Sequence, residues 1–315
     1  MEVMEAVIQV NGLTKQFQQL TAVENLSFTV YKGDVYGFLG QNGAGKSTTI
    51  RMLLSLIMPT SGSISLFGMS LSQHRSDILR QVGAVIEKPD VYKYLSAYDN
   101  LKLFAQLSGL RPNRQQLMEQ LEMVGLANRA NDKVTTFSQG MKQRLGIGIA
   151  LVHNPQLIVL DEPTNGLDPQ GIADIRHLIL RLRNELNKTI VVSSHLLSEI
   201  EQIATRILII DKGQKLVEGD AATLFDPSQT MVEIQTLNNA AALAALHSSE
   251  WHNCLLPQRD PNALLLKVHR QQIPELHQFL AATGIGLLSL QPRNSLEDYF
   301  LQITSGKQYV PTVYH

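Results

Sequence analysis

Four residues in the first part of the chain have the types and the spacing that bind a nucleoside triphosphate. Gly40, Gly45, Lys46 and Ser47 fit the pattern G-x-x-x-x-G-K-[ST] within the stretch FLGQNGAGKSTTI. Glycines let backbone N–H groups curl around phosphate oxygens, and a helix that begins at the lysine adds partial positive charge. Lys46 would then reach the β- and γ-phosphates, while the Ser47 hydroxyl would ligate Mg²⁺.

The residues on either side place this pattern in the context that it requires. The apolar run VYGFL, residues 35–39, predicts a buried strand, and KSTTIRMLLSLI, residues 46–57, has helical periodicity. An ordinary glycine-rich turn would explain the glycines, but not a strand, a loop and a helix in this order. The sequence therefore predicts nucleotide binding, which kinases, GTPases, helicases, recombinases and transport ATPases share.

Two carboxylates and a histidine follow later buried strands. LIVLD, residues 157–161, ends in Asp161 and is followed by Glu162, and TIVVSS, residues 189–194, is followed by His195. Since the carboxyl ends of parallel strands meet at one sheet edge, these side chains should face the phosphates. Asp161 would hold Mg²⁺ through water, Glu162 would orient an attacking water, and His195 would lie at the γ-phosphate. The alternative is a strand that simply ends in polar turn residues, and a lone histidine there is more often structural.

A second anion site is predicted at the start of another helix. In TTFSQGMKQRLGIGIAL, residues 135–151, Ser138 can cap a helix that opens with Gln139 and Gly140. The free N–H groups behind the cap would bind phosphate. Because the chain already has one phosphate-binding loop, this second site makes sense if it serves a nucleotide held by another copy of the chain. An ordinary capped amphipathic helix is the alternative.

The composition limits the classes of protein that fit. The chain has 315 residues, of which 44% are apolar and 17% charged, and this composition supports a substantial core. The formal net charge of −1 gives no evident basic face, so no nucleic-acid partner is expected. Cys254 is the single cysteine in the sequence, which favours a reducing cytosol. Neither a signal peptide nor a run of about 18 apolar residues is recognised, so any membrane role is expected to be peripheral.

The succession of elements predicts an α/β fold in two domains. Residues 1–227 should form the nucleotide-binding domain, with a β-rich N-terminal part, a mixed sheet core and a helical subdomain at about residues 90–153. ILIID and KLVEG should pair as a hairpin around Lys212-Gly213. Residues 228–315 should form a small α+β domain.

The predicted α+β domain begins where the character of the sequence changes, near Asp226-Pro227-Ser228. Its predicted elements include an Ala-rich helix, a strand that starts at Gly284 and a last helix that starts at Ser295. The sequence indicates no role for this domain beyond dimerisation, regulation or simple cover of the first domain.

Taken together, the motifs resemble those of the ATP-binding cassette (ABC) ATPases. The Walker A motif is residues 40–47, the Walker B motif is residues 157–162, the signature motif is residues 137–141, and the D-loop is Gly166-Leu167-Asp168. The resemblance covers about residues 6–225, with the motifs in order and sensibly spaced. It implies the fold of a P-loop NTPase cassette that binds ATP and Mg²⁺.

The resemblance also implies three sets of site residues. ATP would contact Phe17, which matches the aromatic residue that stacks on adenine, and the loop residues Gly40, Gln41, Asn42, Gly43, Ala44, Gly45, Lys46, Ser47 and Thr48. The catalytic residues would be Lys46, Glu87, Glu162 and His195, and the Mg²⁺ ligands would be Ser47, Glu87 and Asp161. A second copy of the chain would contribute Ser138, Gln139, Gly140, Met141 and Asp168.

Two departures from the general family pattern are informative. Most ABC ATPases have glutamine where this chain has Glu87, and glutamate is familiar there in bacitracin- and lantibiotic-type subunits. In the signature motif, Gln139 replaces the usual glycine and Met141 the usual glutamine, but the backbone N–H donors survive both changes. Residues 82–101, 137–151 and 294–304 make the chain similar to the ATP-binding subunits of bacitracin-, lantibiotic- and drug-type export systems, and Glu87 supports this resemblance.

The resemblance implies a homodimer that closes head-to-tail around two ATP molecules. Each ATP would lie between the Walker A motif of one chain and the signature motif of the other, and hydrolysis would let the dimer reopen. Two copies would serve separate integral membrane permease subunits at the cytoplasmic face of the cell membrane, docked around Glu87 to Ala97. The exported substrate would be a peptide antibiotic, a drug or a lipid-like compound.

The main alternative is a soluble ABC ATPase that acts on DNA or on ribosomes. DNA-acting members carry long coiled-coil insertions between the Walker motifs, whereas the interval from Ser47 to Leu157 predicts only short helices. Ribosome-associated members carry two cassettes in one chain, and this chain has one. A module that binds nucleotide without turnover is a third alternative, against which the intact Glu162 and His195 argue.

Glu87→Gln should keep ATP binding and change the rate of hydrolysis, because the extra carboxylate of the natural residue adds negative charge beside Mg²⁺. The measurement is ATPase activity and transport of the variant and the natural protein, together with nucleotide affinity. Unchanged ATPase activity and unchanged transport would contradict the predicted role of Glu87.

Overall fold

A computed structural model describes residues 4–224, 230–256 and 263–293 of the chain. The chain divides into two compact units, residues 1–221 and residues 222–315. Each unit has its own β-structure and its own hydrophobic core.

Several predicted features fall outside the described residues. They are the domain boundary at residue 227, the turn Asp226-Pro227-Ser228, the last helix from Ser295 and the segment 294–304.

The described residues of the first unit form two β-sheets. Its described strands are β1 (Ala6–Phe17), β2 (Leu20–Tyr31), β3 (Val35–Leu39), β4 (Ser61–Leu66), β5 (Met69–Ser70), β6 (Val82–Val85), β7 (Leu157–Leu160), β8 (Thr189–Ser194), β9 (Arg206–Asp211) and β10 (Gln214–Asp220). A four-stranded antiparallel sheet has the order β2-β1-β4-β5, and a six-stranded sheet has the order β10-β9-β3-β8-β7-β6. The predicted β-rich N-terminal part and the predicted mixed sheet core are both confirmed.

The six-stranded sheet brings the ends of three buried strands together. β3, β7 and β8 are buried along their whole length, as their apolar sequences predict for strands covered on both faces. β8 pairs in parallel with β3 on one side and with β7 on the other. Only β10 runs antiparallel, as the second strand of the hairpin predicted around Lys212-Gly213. The residues that follow β3, β7 and β8 therefore emerge at one edge.

Helices cover this sheet and form the predicted helical subdomain. The described helices of the first unit are α1 (Lys46–Leu53), α2 (Arg75–Leu79), α3 (Ala97–Leu107), α4 (Arg114–Met123), α5 (Gln139–Ala150), α6 (Pro169–Asn184) and α7 (Leu197–Glu201), and α8 (Ala221–Leu224) spans the division between the units. The subdomain consists of α3, α4 and α5 with short 3₁₀ turns between α4 and α5. In the described parts of the chain, no helix has the length and apolar character that crossing a membrane requires.

The predicted start of one long helix was wrong. Apolar periodicity predicts a helix over Ile172 to Leu186, but α6 runs from Pro169 to Asn184. Asp168 caps this helix by accepting a hydrogen bond from the Gly171 N–H, and proline at the first helical position needs no N–H partner. Cap chemistry therefore sets the start of α6 one turn before its apolar stripe.

The described residues of the second unit form a three-stranded antiparallel sheet and two α-helices. Its described elements are β11 (Thr230–Thr236), α9 (Asn239–His247), β12 (Leu264–Val268), α10 (Ile273–Ala282) and β13 (Leu287–Arg293), and the strand order is β12-β11-β13. The sequence predicts a strand that starts at Gly284, but β13 begins at Leu287. Gly284 has φ +72°, and its N–H donates to Ala281 O, so that it ends α10 and cannot begin a strand.

Two basic side chains, the buried Lys188 and the half-buried His153, lie beside the N-terminal ends of the core strands. Lys188 Nζ donates to Asn154 Oδ1 at 2.6 Å and to Pro155 O at 2.7 Å. His153 Nε2 lies 3.1 Å from Val82 O, to which it donates in the matching tautomer. Burial lowers the pKa of both groups, although the contact with the Val82 carbonyl raises that of His153 somewhat.

Acidification should destabilise the first unit partly through His153. Because burial holds the folded-state pKa of His153 below 6.5, the unfolded chain takes up a proton at higher pH, and the free energy of unfolding falls as pH drops through 6.5. In His153→Gln, whose amide can still donate to the Val82 carbonyl, this fall should be smaller. The measurement is urea unfolding, followed by far-UV circular dichroism, on both sides of pH 6.5. His74→Gln, at an exposed position, is the control, and equal pH dependence in all three proteins would contradict the prediction.

Candidate nucleotide-binding and hydrolysis site

The loop between β3 and α1 is tightly enclosed by neighbouring backbone. Gly45 has φ +106°, and a Cβ atom there would lie 2.6 Å from Ala22 O. A Cβ atom on Gly40 would lie 2.7 Å from Ile210 O. Gly45 is also the N-cap residue of α1, and no side chain caps this helix. The first N–H groups of α1 therefore remain available to an anion.

A groove of about 450 Å³ lies beside this loop. Its lining consists of Phe17, Leu20, Thr21, Ala22, Gln41, Asn42, Gly43, Gly45, Lys46, Ser47, Thr48, Glu162 and Lys212. Among the residues predicted to contact ATP, only Gly40 and Ala44 are outside this lining, and both are buried. The structure therefore brings the other predicted contacts together around one cavity of suitable size for a nucleotide.

Phe17 offers an aromatic surface in this groove. Its side chain is 44% exposed, and the Lys15 ammonium lies 4.8 Å from the ring centroid. This cation–π contact holds the ring in place while leaving part of it accessible. A purine base could stack there, as the resemblance implies for adenine.

Lys46 is buried and bonded on several sides. Its Nζ donates to Gly40 O at 2.6 Å and to Gln41 O at 3.3 Å. It also lies 3.0 Å from Glu162 Oε1, as an ion pair whose angles are outside the range of a hydrogen bond. The lysine thus joins the phosphate-binding loop to the end of β7, and a phosphate oxygen could take the place of the carboxylate as its anionic partner.

Glu162 lies between two basic side chains. His195 Nδ1 is 2.7 Å from Glu162 Oε2, while Lys46 faces Oε1. The Glu162 backbone has φ +48°, and its N–H donates to Ser193 Oγ at 2.8 Å. A non-glycine residue in this conformation is strained, so it persists only where its surroundings hold it. The contacts with Ser193, His195 and Lys46 do so and fix the position of the carboxylate. A carboxylate so placed can orient a water molecule towards a phosphate.

Asp161 has one carboxylate oxygen that fits a cation. Oδ1 accepts a hydrogen bond from Ser193 Oγ at 2.6 Å, whereas Oδ2 is buried with no hydrogen-bond partner among the described residues. Such a buried oxygen is costly unless a cation or a water approaches it. The described chain contains no cluster of three His, Cys, Asp or Glu side chains suited to a metal ion. A single free carboxylate oxygen suits Mg²⁺, which is usually held by one or two protein ligands together with phosphates and waters, and Ser47 lines the groove. The roles of Asp161 and Ser47 as Mg²⁺ ligands remain predictions.

Glu87 lies elsewhere in this structure. Its carboxylate pairs with Arg51 of α1, its side chain is 64% exposed, and its backbone has φ +57°. It does not belong to the lining of the groove. The predicted roles of Glu87 in catalysis and in Mg²⁺ binding would require this ion pair to open, and they remain predictions.

The residues predicted to act on the nucleotide of a second copy lie outside the groove. Ser138 caps α5, as predicted, by accepting a hydrogen bond from the Met141 N–H at 3.2 Å. Ser138, Gln139 and Asp168 are exposed, and Gly140 packs near Gly171 of α6. Their exposure suits contact with another molecule, and their role in trans remains a prediction.

Lys212 is a residue of the groove that was not predicted from the sequence. It sits at the β9–β10 turn with φ +47°, beside Gly213. The Gly213 N–H donates to Ala44 O, and Gly213 O accepts from the Glu24 N–H, both at 2.9 Å. These bonds fasten the hairpin to the phosphate-binding loop. The Lys-Gly turn was the available signal, but only the tertiary fold shows which site it adjoins.

Comparison with known proteins identifies the family. The ABC transporter family model matches residues 23–165. The chain is 42% identical to a bacitracin transport ATP-binding protein of Bacillus licheniformis over 96% of this chain and 99% of that protein. It is also 42% identical to a lantibiotic transport ATP-binding protein of Streptococcus pyogenes, over 72% of this chain and 95% of that protein.

A solved structure has a fold similar to that of a large part of this chain. It is an ATP-binding cassette in a dimeric, post-hydrolysis state with ADP and Pi bound, and it is 26% identical to this chain. The alignment has a TM-score of 0.62 and covers 68% of this chain and 98% of that cassette. The groove around Lys46 and Glu162 and the sheet that supports it are consistent with these relatives. The chain belongs to the ATP-binding, ATP-hydrolysing subunits of ABC transporters.

Proposed function

We propose that this ATPase works as a homodimer at the cytoplasmic face of the membrane and powers a separate permease that exports a peptide antibiotic, a drug or a lipid-like compound. The observation that carries the proposal for the chemistry is the contact of Glu162 with both Lys46 and His195 at the rim of the nucleotide groove. The names of the relatives support the proposal for transport.

The residues of the groove divide the chemistry of ATP hydrolysis among them. Lys46 and the N-terminus of α1 bind the phosphates, and Phe17 stacks on the adenine. Glu162 holds the attacking water in line, while His195 keeps Glu162 oriented and contacts the γ-phosphate. Ser47 and Asp161 would hold Mg²⁺, which when bound neutralises the charge that develops on the phosphate oxygens.

A second copy of the chain completes each site in this proposal. The solvent-facing start of α5 consists of its cap residue Ser138 and of Gln139, Gly140 and Met141. Asp168 caps α6 at a similarly exposed position. The nucleotide groove itself is open on one side, since Gln41, Asn42 and Gly43 are exposed. The dimeric cassette among the similar structures supports this arrangement.

Exposed aromatic side chains support docking of the permease on the segment from Glu87 to Ala97. Tyr94 is 84% exposed and Tyr92 is 55% exposed. Large exposed aromatic residues are typical of protein–protein contacts. A soluble ABC ATPase acting on ribosomes or DNA is the second candidate, and no observation on the described residues favours it.

Glu162→Gln should trap an ATP-bound dimer. Removal of the carboxylate should lower kcat for ATP by at least about a hundredfold while ATP still binds, because proton removal from a positioned water typically contributes that much. The measurement is ATPase rate together with gel filtration in the presence of MgATP. Glu185→Gln, an exposed residue at the end of α6, is the control. Hydrolysis at the normal rate by Glu162→Gln would show that Glu162 neither activates nor positions the water.

Affinity capture from detergent-solubilised membranes tests the proposal for transport. A tagged chain should recover a stoichiometric integral membrane protein, and the double variant Tyr92→Ala/Tyr94→Ala should recover less of it. Leu237→Ala is a control at an exposed apolar position of the second unit. Recovery of ribosomes or DNA-processing proteins instead would contradict the proposal for transport and leave the ATPase chemistry intact.

A further inference from the structure

Two hydroxyl groups from different parts of the chain donate to one carboxylate oxygen behind the hydrolysis site. Thr164 Oγ1 is 2.6 Å from Glu199 Oε2, and Ser194 Oγ is 2.9 Å from the same oxygen. Glu199 lies in α7, the short helix that follows β8 and His195. Hydrogen bonds from hydroxyls to a carboxylate are charge-assisted and are stronger than those between neutral groups.

The first hydroxyl belongs to the turn that carries Glu162. Thr164 lies two residues after Glu162, and the Asn165 N–H closes this turn by donating to Glu162 O at 3.1 Å. Ser193 already holds the start of the turn through the Glu162 N–H. Because Glu162 has φ +48°, the turn needs anchors on both sides to keep its strained backbone, and the bond from Thr164 to Glu199 is the anchor on the far side.

The second hydroxyl belongs to the segment that carries His195. Ser194 immediately precedes His195, and its Oγ accepts a hydrogen bond from the Leu196 N–H at 3.0 Å while donating to Glu199. The Ser194 hydroxyl therefore bonds across His195 and fixes the backbone on both sides of it. Glu199 is the group that holds this hydroxyl in place.

These contacts close a ring. Glu162 meets His195 directly at 2.7 Å on the side of the nucleotide, and the two segments meet again at Glu199 on the other side. We propose that Glu199 is a positioning residue, which sets the distance between the Glu162 carboxylate and the His195 ring by holding both backbone segments. This inference rests on the roles proposed for Glu162 and His195, and it assigns Glu199 no contact with the nucleotide.

The competing explanation is that Glu199 merely stabilises α7 as an acidic residue in its first turn. The two explanations differ in what an isosteric replacement does. Both hydroxyls donate to one oxygen, Oε2, so that a glutamine carbonyl oxygen in the same place can accept both bonds. Glu199→Gln therefore keeps the two hydrogen bonds that position the segments. The same substitution removes the charge that would stabilise α7.

The experiment compares Glu199→Ala, Glu199→Gln and the natural chain by steady-state ATPase kinetics. Glu199→Ala should lower kcat by about tenfold, the size expected for loss of a hydrogen bond to a charged group. KM for ATP should stay within about twofold, because Glu199 does not touch the nucleotide groove. Glu199→Gln should recover kcat to within about threefold of the natural chain. Glu185→Ala is the control at an exposed glutamate directly after α6.

Single-hydroxyl variants complete the test, also where Glu199→Ala fails to fold. Thr164→Val and Ser194→Ala should each lower kcat with KM unchanged, and the effects of Thr164→Val and Glu199→Ala should be less than additive. The proposal is overturned if Thr164→Val, Ser194→Ala and Glu199→Ala all have a kcat within about twofold of that of the natural chain. A fall in kcat that glutamine does not relieve, or one that adds fully to the effect of Thr164→Val, would also overturn it.

The roles proposed for Glu162 and His195 are tested separately in the same assay. If Glu162→Gln abolishes turnover and Glu199→Ala does not lower it, only the inference on Glu199 fails. If Glu162→Gln hydrolyses ATP at the normal rate, the proposed mechanism fails, whatever Glu199→Ala does.

Discussion

Glu162 is held through both of its carboxylate oxygens, one facing Lys46 and the other His195. This contact can form only if three strands end side by side, since the three residues follow β7, β3 and β8. The pairing Leu39↔Ser194 places the end of β3 beside the end of β8, and Leu160↔Val192 places β7 on the other side. A shift of one residue in either register would displace one strand end by about 3.3 Å relative to its neighbour, and the three groups would no longer meet.

The end of β8 serves two hydrogen-bond groups because successive residues of a strand point to opposite faces. Ser193 donates to Asp161 and accepts from the Glu162 N–H, so that it supports the carboxylates that face the nucleotide. Ser194 donates to Glu199 of α7 on the other side. Ser193 and Ser194, both buried at the end of β8, therefore position groups on the two sides of the strand.

The nucleotide groove draws on parts of the chain that lie far apart in the sequence. Ala22 of β2 and Ile210 of β9 approach the loop so closely that only glycine fits at Gly45 and Gly40. The β9–β10 hairpin reaches the same loop through Gly213 and brings Lys212 to the groove. The N-terminal sheet, the core sheet and the hairpin are therefore all needed to give the phosphate-binding loop its shape.

The sequence by itself determined the features that depend on neighbouring residues. Motif spacing and local periodicity predict the strand, loop and helix around Lys46, and periodicity also predicts the buried strands β7 and β8. Capping preference predicts the cap of α5 by Ser138. Only the tertiary structure decided the pairing of Glu87 with Arg51, the place of Lys212 in the groove and the bonds that Glu199 accepts. The physical reason is that these contacts join segments that are distant along the chain, and strand register and helix packing, which no local pattern specifies, determine which side chains meet.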